Sequence, residues 1–212
     1  MRKILFSVVV LVILGCNSSD GDFPCFSCDK CSNPVVSNNS VTCGGQTYRT
    51  VRIGSQTWMA ENLNYNASGS VCYNNNSSNC ATYGRLYNWS AAKEVCPSGW
   101  HLPSNAEWST LSSYVQSNSG CSSCDDRLLK ATSGWNSNGN GTDEYGFSAL
   151  PGGYGGSGGS FDRVGIDGYW WSATEDNATY AYSRCMHCYY DLVGSYYYSR
   201  KSSLSSVRCV QD

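Results

Sequence analysis

The residues best equipped for chemistry in this sequence are its cysteines, thirteen in a chain of 212. Cys185-Met186-His187-Cys188 brings two thiols and an imidazole together, a donor set soft enough for Cu(I). The alternative is a structural bridge, either within that motif or to a second C-x-x-C, Cys121-Ser122-Ser123-Cys124. Cys25, Cys28 and Cys31, followed by Cys43, offer thiolates for zinc or an iron–sulfur cluster. No two C-x-x-C units stand at finger spacing, however, and exported thiols are generally oxidised. Disulfides are therefore the expected state of that cluster and of Cys121, Cys124, Cys185 and Cys188. Cys72 and Cys80 read as the ends of a local disulfide loop around an Asn/Ser-rich stretch.

Oxygen donors gather further along. Asn136-Ser137-Asn138-Gly139-Asn140-Gly141 begins like an EF-hand loop. It lacks the leading Asp, and Phe147 stands where a bidentate Glu is required, so an EF-hand is excluded. A calcium site built from Asn138, Asn140, Asp143 and Glu144 stands against a solvated Asn/Gly turn cluster. No other cofactor is called for. The two histidines, His101 and His187, fit no Ser–His–Asp spacing, and His101 reads as a packing residue in a turn. Asp143, Glu144, Asp167, Glu175 and Asp176 leave paired carboxylates open against simple solvation. Gly155-Gly156-Ser157-Gly158-Gly159 matches G-x-S-x-G, and the overlapping Gly153–Gly158 tract matches G-x-G-x-x-G. Neither is followed by a helix signal, so both are accidents of a glycine-rich tract.

Aromatic residues carry the remaining signal. Tyr145, Tyr154, Phe161, Tyr169, Trp170 and Trp171 lie in or beside a long loop region. Aromatic faces next to Asn and Asp suit the recognition of sugars or proteins. The expected ligand-binding residues are Tyr154, Phe161, Tyr169 and Trp171, with Asp167 and Glu175 as polar neighbours. The bland alternative is that Trp170 and Trp171 alternate in a strand, one of them buried.

Composition narrows the class. Only 14% of residues are charged, the net charge is −2 and no basic cluster occurs, so nucleic acid is not an expected partner. Arg2 and Lys3 precede a short apolar run, Ile4 to Leu14, then Gly15 and Cys16; this describes a signal peptide over 1–15 rather than a membrane span. Ile13-Leu14-Gly15-Cys16 resembles a bacterial lipobox, which places lipid on Cys16. Removing Arg2 and Lys3 leaves 12 basic against 16 acidic residues, a net of −4. Asn17–Asp22 is a polar tether resembling the acidic signals that send lipoproteins to the outer surface. The expected location is therefore a lipid anchor in the bacterial outer membrane, exposed at the surface. With one cysteine lipidated, twelve remain for up to six disulfides.

The elements that must position these residues follow from periodicity. Residues 16–42 read as a Cys-interrupted linker. Tyr48, Val51 and Ile53 alternate, then Thr57-Trp58-Met59, which predicts a hairpin turning at Gly54-Ser55. Leu86, Trp89 and Ala92 predict a helix over 85–95. Pro97 and Gly99 break it. Ser104 and Glu107 form a capping box for a second helix over 105–115, with Trp108, Leu111 and Val115 on its buried face. Leu128–Ala131 is a helical turn, and 132–168 is irregular. Strands are expected at 169–174, 178–190, 196–200 and 205–210, with a turn at Gly194-Ser195. Early helices and late strands make an α+β pattern.

Several of these segments together resemble the Fibrobacter succinogenes major paralogous domain, over residues 43–212. The matching segments are Val51–Leu63, Gly84–Trp89, Cys96–Trp108, Gly146–Gly153, Tyr169–Thr174 and Ser206–Val210. The resemblance implies a C-type-lectin-like fold: two helices on a small, mostly antiparallel, twisted sheet with long loops. It also implies a disulfide between Cys96 and Cys209. The formylglycine-generating enzymes, of related fold, carry a copper-binding cysteine pair before a similar closing segment, in a place comparable to Cys185 and Cys188. The expected function is a non-catalytic binding module for a glycan or a surface protein, formed by the 132–176 loops. The alternatives are a copper-dependent oxidase at Cys185 and Cys188, or a purely structural envelope protein.

Overall fold

The computed structural model describes residues 34–37, 39–120, 124–189 and 194–212, with 194–197 described by backbone alone. The signal peptide, Cys16, residues 16–33 with Cys25, Cys28 and Cys31, and Cys121 lie outside the described residues. The chain enters through β1 (Val35–Ser37) and β2 (Ser40–Cys43), which pair with each other, and β2 pairs with β3 (Gln46–Ile53). The expected linker therefore ends earlier than residue 42: Val41 and Cys43 alternate inward and are fully buried. The expected hairpin follows, β3 against β4 (Gln56–Met59), with Gly54 at φ 62° in the turn. That left-handed backbone suits a residue without Cβ.

The Cys72–Cys80 loop holds structure of its own. Beside β5 (Ser70–Val71) lies α1 (Ser77–Tyr83), where the Asn76 side chain accepts the Ser78 amide. The helix expected over 85–95 is shorter than its periodicity suggested. Leu86–Tyr87 is a strand, β6, and α2 covers only Trp89–Glu94, starting where the Asn88 side chain accepts the Ala91 amide. Tertiary pairing overrides propensity here, because β6 is needed between β5 and the chain's return at 205–206. After β7 (Trp100–His101), the predicted capping box opens α3 (Asn105–Ser119), with Trp108, Leu111 and Val115 buried. A short α4 (Asp125–Leu129) follows.

The stretch read as irregular contains a second hairpin, β8 (Gly152–Gly155) and β9 (Phe161–Val164). Then come β10 (Asp167–Glu175), β11 (Tyr180–His187), β12 (Gly194–Arg200), β13 (Ser205–Ser206) and β14 (Val210–Gln211). Gly194 pairs with Cys185, and Gly194-Ser195 is strand where a turn was expected. One sheet runs β1-β2-β3-β4-β14-β7, and the other β12-β11-β10-β13-β6-β5 with β8 and β9 alongside β10. The fold is thus α+β and sheet-rich, with two sheets and four α-helices among the described residues rather than one sheet and two helices.

Strand β10 is flanked on both edges, and its adjacent tryptophans point to opposite faces. Trp170 enters one core cluster with Trp58, Trp108 and Phe147; Trp171 enters the other with Tyr48, Met59, Trp89 and Val207. Between the sheets lies a buried polar hub. Asn62 Oδ1 accepts from Trp170 Nε1 (2.8 Å) and from Arg208 Nε and Nη2 (3.2 and 2.8 Å), while its amide donates to the Tyr83 carbonyl at 2.9 Å. Arg208 is fully buried, also donates to the Phe147 carbonyl, and stacks on the Phe147 ring at 4.3 Å. Burial pushes its pKa down, to about 9, so it is still a cation at neutral pH. Next to it, Cys209 is bonded to Cys96 across 113 residues, tying the end of α2 to the last strand. A loop of that size contributes about 4–5 kcal/mol in the chain-entropy model.

Candidate functional site

Four tyrosine- and arginine-bearing segments of the second sheet converge on one cleft. β8 presents Tyr154, β9 Arg163, β10 Tyr169, and β12 Tyr198 and Arg200; with Ser199, Ser203 and Ser205 they line a cleft of about 310 Å³. The convergence follows from pairing. β8 and β11 flank β10, and β12 lies on β11, which brings residues far apart in sequence next to one another. Tyr154 meets Tyr169 edge-on at 5.4 Å, and Tyr198 lies against Tyr182 at 5.0 Å. Arg163 holds a left-handed backbone, φ 71°, costly for a residue with a side chain.

The floor of the cleft is fixed by Asp167, which is 2% exposed. Its Oδ2 accepts the Tyr169 hydroxyl at 3.0 Å, and its Oδ1 lies 3.2 Å from His187 Nε2. His187 Nδ1 accepts the Tyr189 amide at 3.0 Å, which fixes the ring beside the carboxylate. Burial, then the nearby Cys185 and Asp167, push the Tyr169 hydroxyl well above the usual phenol range, so it acts as a donor and not as a base.

Of the expected ligand-binding residues, Tyr154 and Tyr169 line this cleft and Asp167 lies beneath it. The others do not. Trp171 is fully buried in the core with Tyr48, Met59, Trp89 and Val207 and donates to the Tyr87 carbonyl at 2.7 Å. Phe161 packs on Tyr73 at 5.3 Å, and Glu175 pairs with Lys201. Arg163, Tyr198, Arg200 and the serines were missed. The Tyr-rich run before Arg200 signalled a strand, but which face it would share is set by pairing alone.

The calcium set is not assembled as expected. Asp143 accepts from the Ser148 amide and hydroxyl, both at 2.6 Å, Asn140 from the Trp135 amide at 3.0 Å, and Glu144 from the Thr142 hydroxyl at 3.2 Å. These are the internal bonds of a turn cluster. Among the described residues no group of three or more His, Cys, Asp or Glu side chains could hold a metal ion.

The cysteines divide. Cys72 is bonded to Cys80 and Cys96 to Cys209; Cys43 and Cys124 are also disulfide-bonded, to partners outside the described residues. Cys185 and Cys188, expected in disulfides, are instead buried free thiols. Cys185 donates to the Met186 carbonyl at 3.6 Å and neighbours Tyr169, whereas Cys188 joins Met186 in the core. A Cβ on Gly139 would collide with the Cys188 backbone, so the 136–141 loop closes over it. Burial, then the Asp167 carboxylate, push both thiols up, so without a bound metal both are held as neutral thiols.

These features define a disulfide-bonded α+β domain with an aromatic, arginine-bearing surface cleft. The family model of the Fibrobacter succinogenes major domain matches residues 51–211, and the chain belongs to that family. No curated protein and no solved structure matches it. No helix among the described residues is long and apolar enough to cross a membrane.

Proposed function

We propose that this protein is a non-catalytic carbohydrate-binding module with a C-type-lectin-like fold, held at the bacterial outer surface by lipid on Cys16. The observation that carries this reading is the cleft: three tyrosine rings, Tyr154, Tyr169 and Tyr198, set beside serine hydroxyls. Ring faces cover the apolar face of a sugar while hydroxyls and arginines meet its oxygens. A cleft of about 310 Å³ has the size of a small-ligand site, and a protein partner would ask for a broader surface. Three further clefts are lined mostly by small and polar residues; of the two larger ones, that beside Ala67, Asn88 and Glu94 has no aromatic residue in its lining, and that beside Thr50, Arg52 and Trp100 has a single, buried aromatic ring. The lectin-like architecture draws support from the Cys96–Cys209 bridge and the long segment between α4 and β10.

The test is a glycan array probed with the intact protein and with Tyr154→Ala. Binding weakened by about tenfold or more at unchanged melting temperature is the expected result, the scale of one lost aromatic contact with its polar handle. Absence of binding to any glycan, or full binding by the variant, overturns the proposal.

A further inference from the structure

The cleft is charged in a way the rest of the chain is not. Acidic residues outnumber basic ones, 16 to 14, yet the side chains lining this cleft include two arginines and no carboxylate. Arg163 Nε lies 3.9 Å from both Asp162 and Asp167, too far for hydrogen bonds, and no guanidinium hydrogen bond of Arg163 or Arg200 is described. Arg200 has no acidic partner among the described residues and rests near the Tyr180 ring at 5.5 Å. Asp167 lies beneath the cleft, its Oδ2 accepting the Tyr169 hydroxyl at 3.0 Å and its Oδ1 3.2 Å from His187 Nε2. Each guanidinium therefore keeps planar, paired donors for a ligand, the arrangement that matches a carboxylate or sulfate bidentately. The strained backbone of Arg163 holds one of these forks at the cleft wall.

We infer that the saccharide this cleft takes is acidic, its carboxylate or sulfate held between Arg163 and Arg200 while its ring lies on the tyrosines. The inference rests on the proposed carbohydrate reading. Its test measures binding of the full chain to polygalacturonate, dextran sulfate and uncharged dextran at physiological salt, where weak long-range attraction is screened. Arg163→Gln/Arg200→Gln is compared with Arg52→Gln/Arg85→Gln, which removes the same charge outside the cleft.

Binding of either acidic polymer at least tenfold tighter than dextran, lost in the cleft variant and kept within about twofold in the control, is the expected result. Whichever acidic polymer binds identifies the anion. Equal binding of dextran, or equal loss in the control, overturns the inference and leaves the carbohydrate reading standing. Failure of all polymers and of the array overturns both.

Discussion

Replacing Asn62 by alanine tests the internal logic of this fold most directly. Asn62 is 7% exposed, and its carbonyl oxygen is the shared acceptor for Trp170 Nε1 and for two nitrogens of the fully buried Arg208. Alanine removes that oxygen without offering water a path. Trp170 Nε1 is then orphaned, a cost of about 1–3 kcal/mol, and a buried cation loses two of its bonds, for about 3–5 kcal/mol in comparable cases. The costs overlap, so we expect a loss of about 3–5 kcal/mol. At roughly 2–4 °C per kcal/mol for a chain of this size, the melting temperature should fall by about 6–20 °C. The assay is thermal and urea unfolding with disulfides intact, for Asn62→Ala, Arg208→Met and the double variant. Removing both partners removes the unpaired charge, so the double variant should lose less than the sum of the singles by about 1–3 kcal/mol. Strict additivity, or a loss below about 1 kcal/mol for Asn62→Ala, would refute the reasoning, since either means that the hub is not acting as a unit.

Two further outcomes follow from the thiols and from pH. Alkylation and peptide mapping of the unreduced protein should modify Cys185 and Cys188 only after denaturation, because both are buried and their thiols are pushed up; modification in the native state would contradict their placement. His101 lies between Asp212 (2.7 Å) and Glu107 (2.6 Å), and although burial opposes its cation, the carboxylates outweigh burial and its pKa is raised above 6.5. Burial likewise opposes the Glu107 anion, but the Ser104 amide and hydroxyl and then His101 outweigh it, so its pKa is lowered below 4.5. The His101 contribution is complete below pH 6.5 and lost as pH rises through the raised value. The Glu107 contribution is complete above pH 4.5 and lost as pH falls through the lowered value. Both side chains are partly exposed, so stability should peak between about pH 4.5 and 6.5 and decline only a degree or two toward pH 8.5, a decline that His101→Gln removes.

Local signals were legible where the physics is local. The Ser104–Glu107 capping box, the Gly54 turn and the Trp108–Leu111–Val115 stripe depend on spacing within one element, and all appear as expected. Leu86–Tyr87 was legible only as helix, because what makes it a strand is β13, over a hundred residues later. Trp171 misled for the same reason: an exposed aromatic and a buried one look alike in sequence. The family resemblance supplied Cys96–Cys209, which spacing could not. The free state of Cys185 and Cys188 has no local signature, since compartment argues for oxidation and only packing keeps them apart.

The placement of the cleft follows from how the fold is held. The covalent tie and the Asn62–Arg208 hub both lie at the seam where the chain crosses from β13 in one sheet to β14 in the other. That seam anchors β10 through Trp170 and Trp171, whose side chains go into opposite cores. Two residues earlier on the same strand, Tyr169 is therefore fixed in register, and Asp167 fixes its hydroxyl. A site built this way has a rigid floor and walls contributed by β8, β9 and β12. Substitutions on the walls should alter binding while leaving folding intact, and substitutions at the seam should do the reverse.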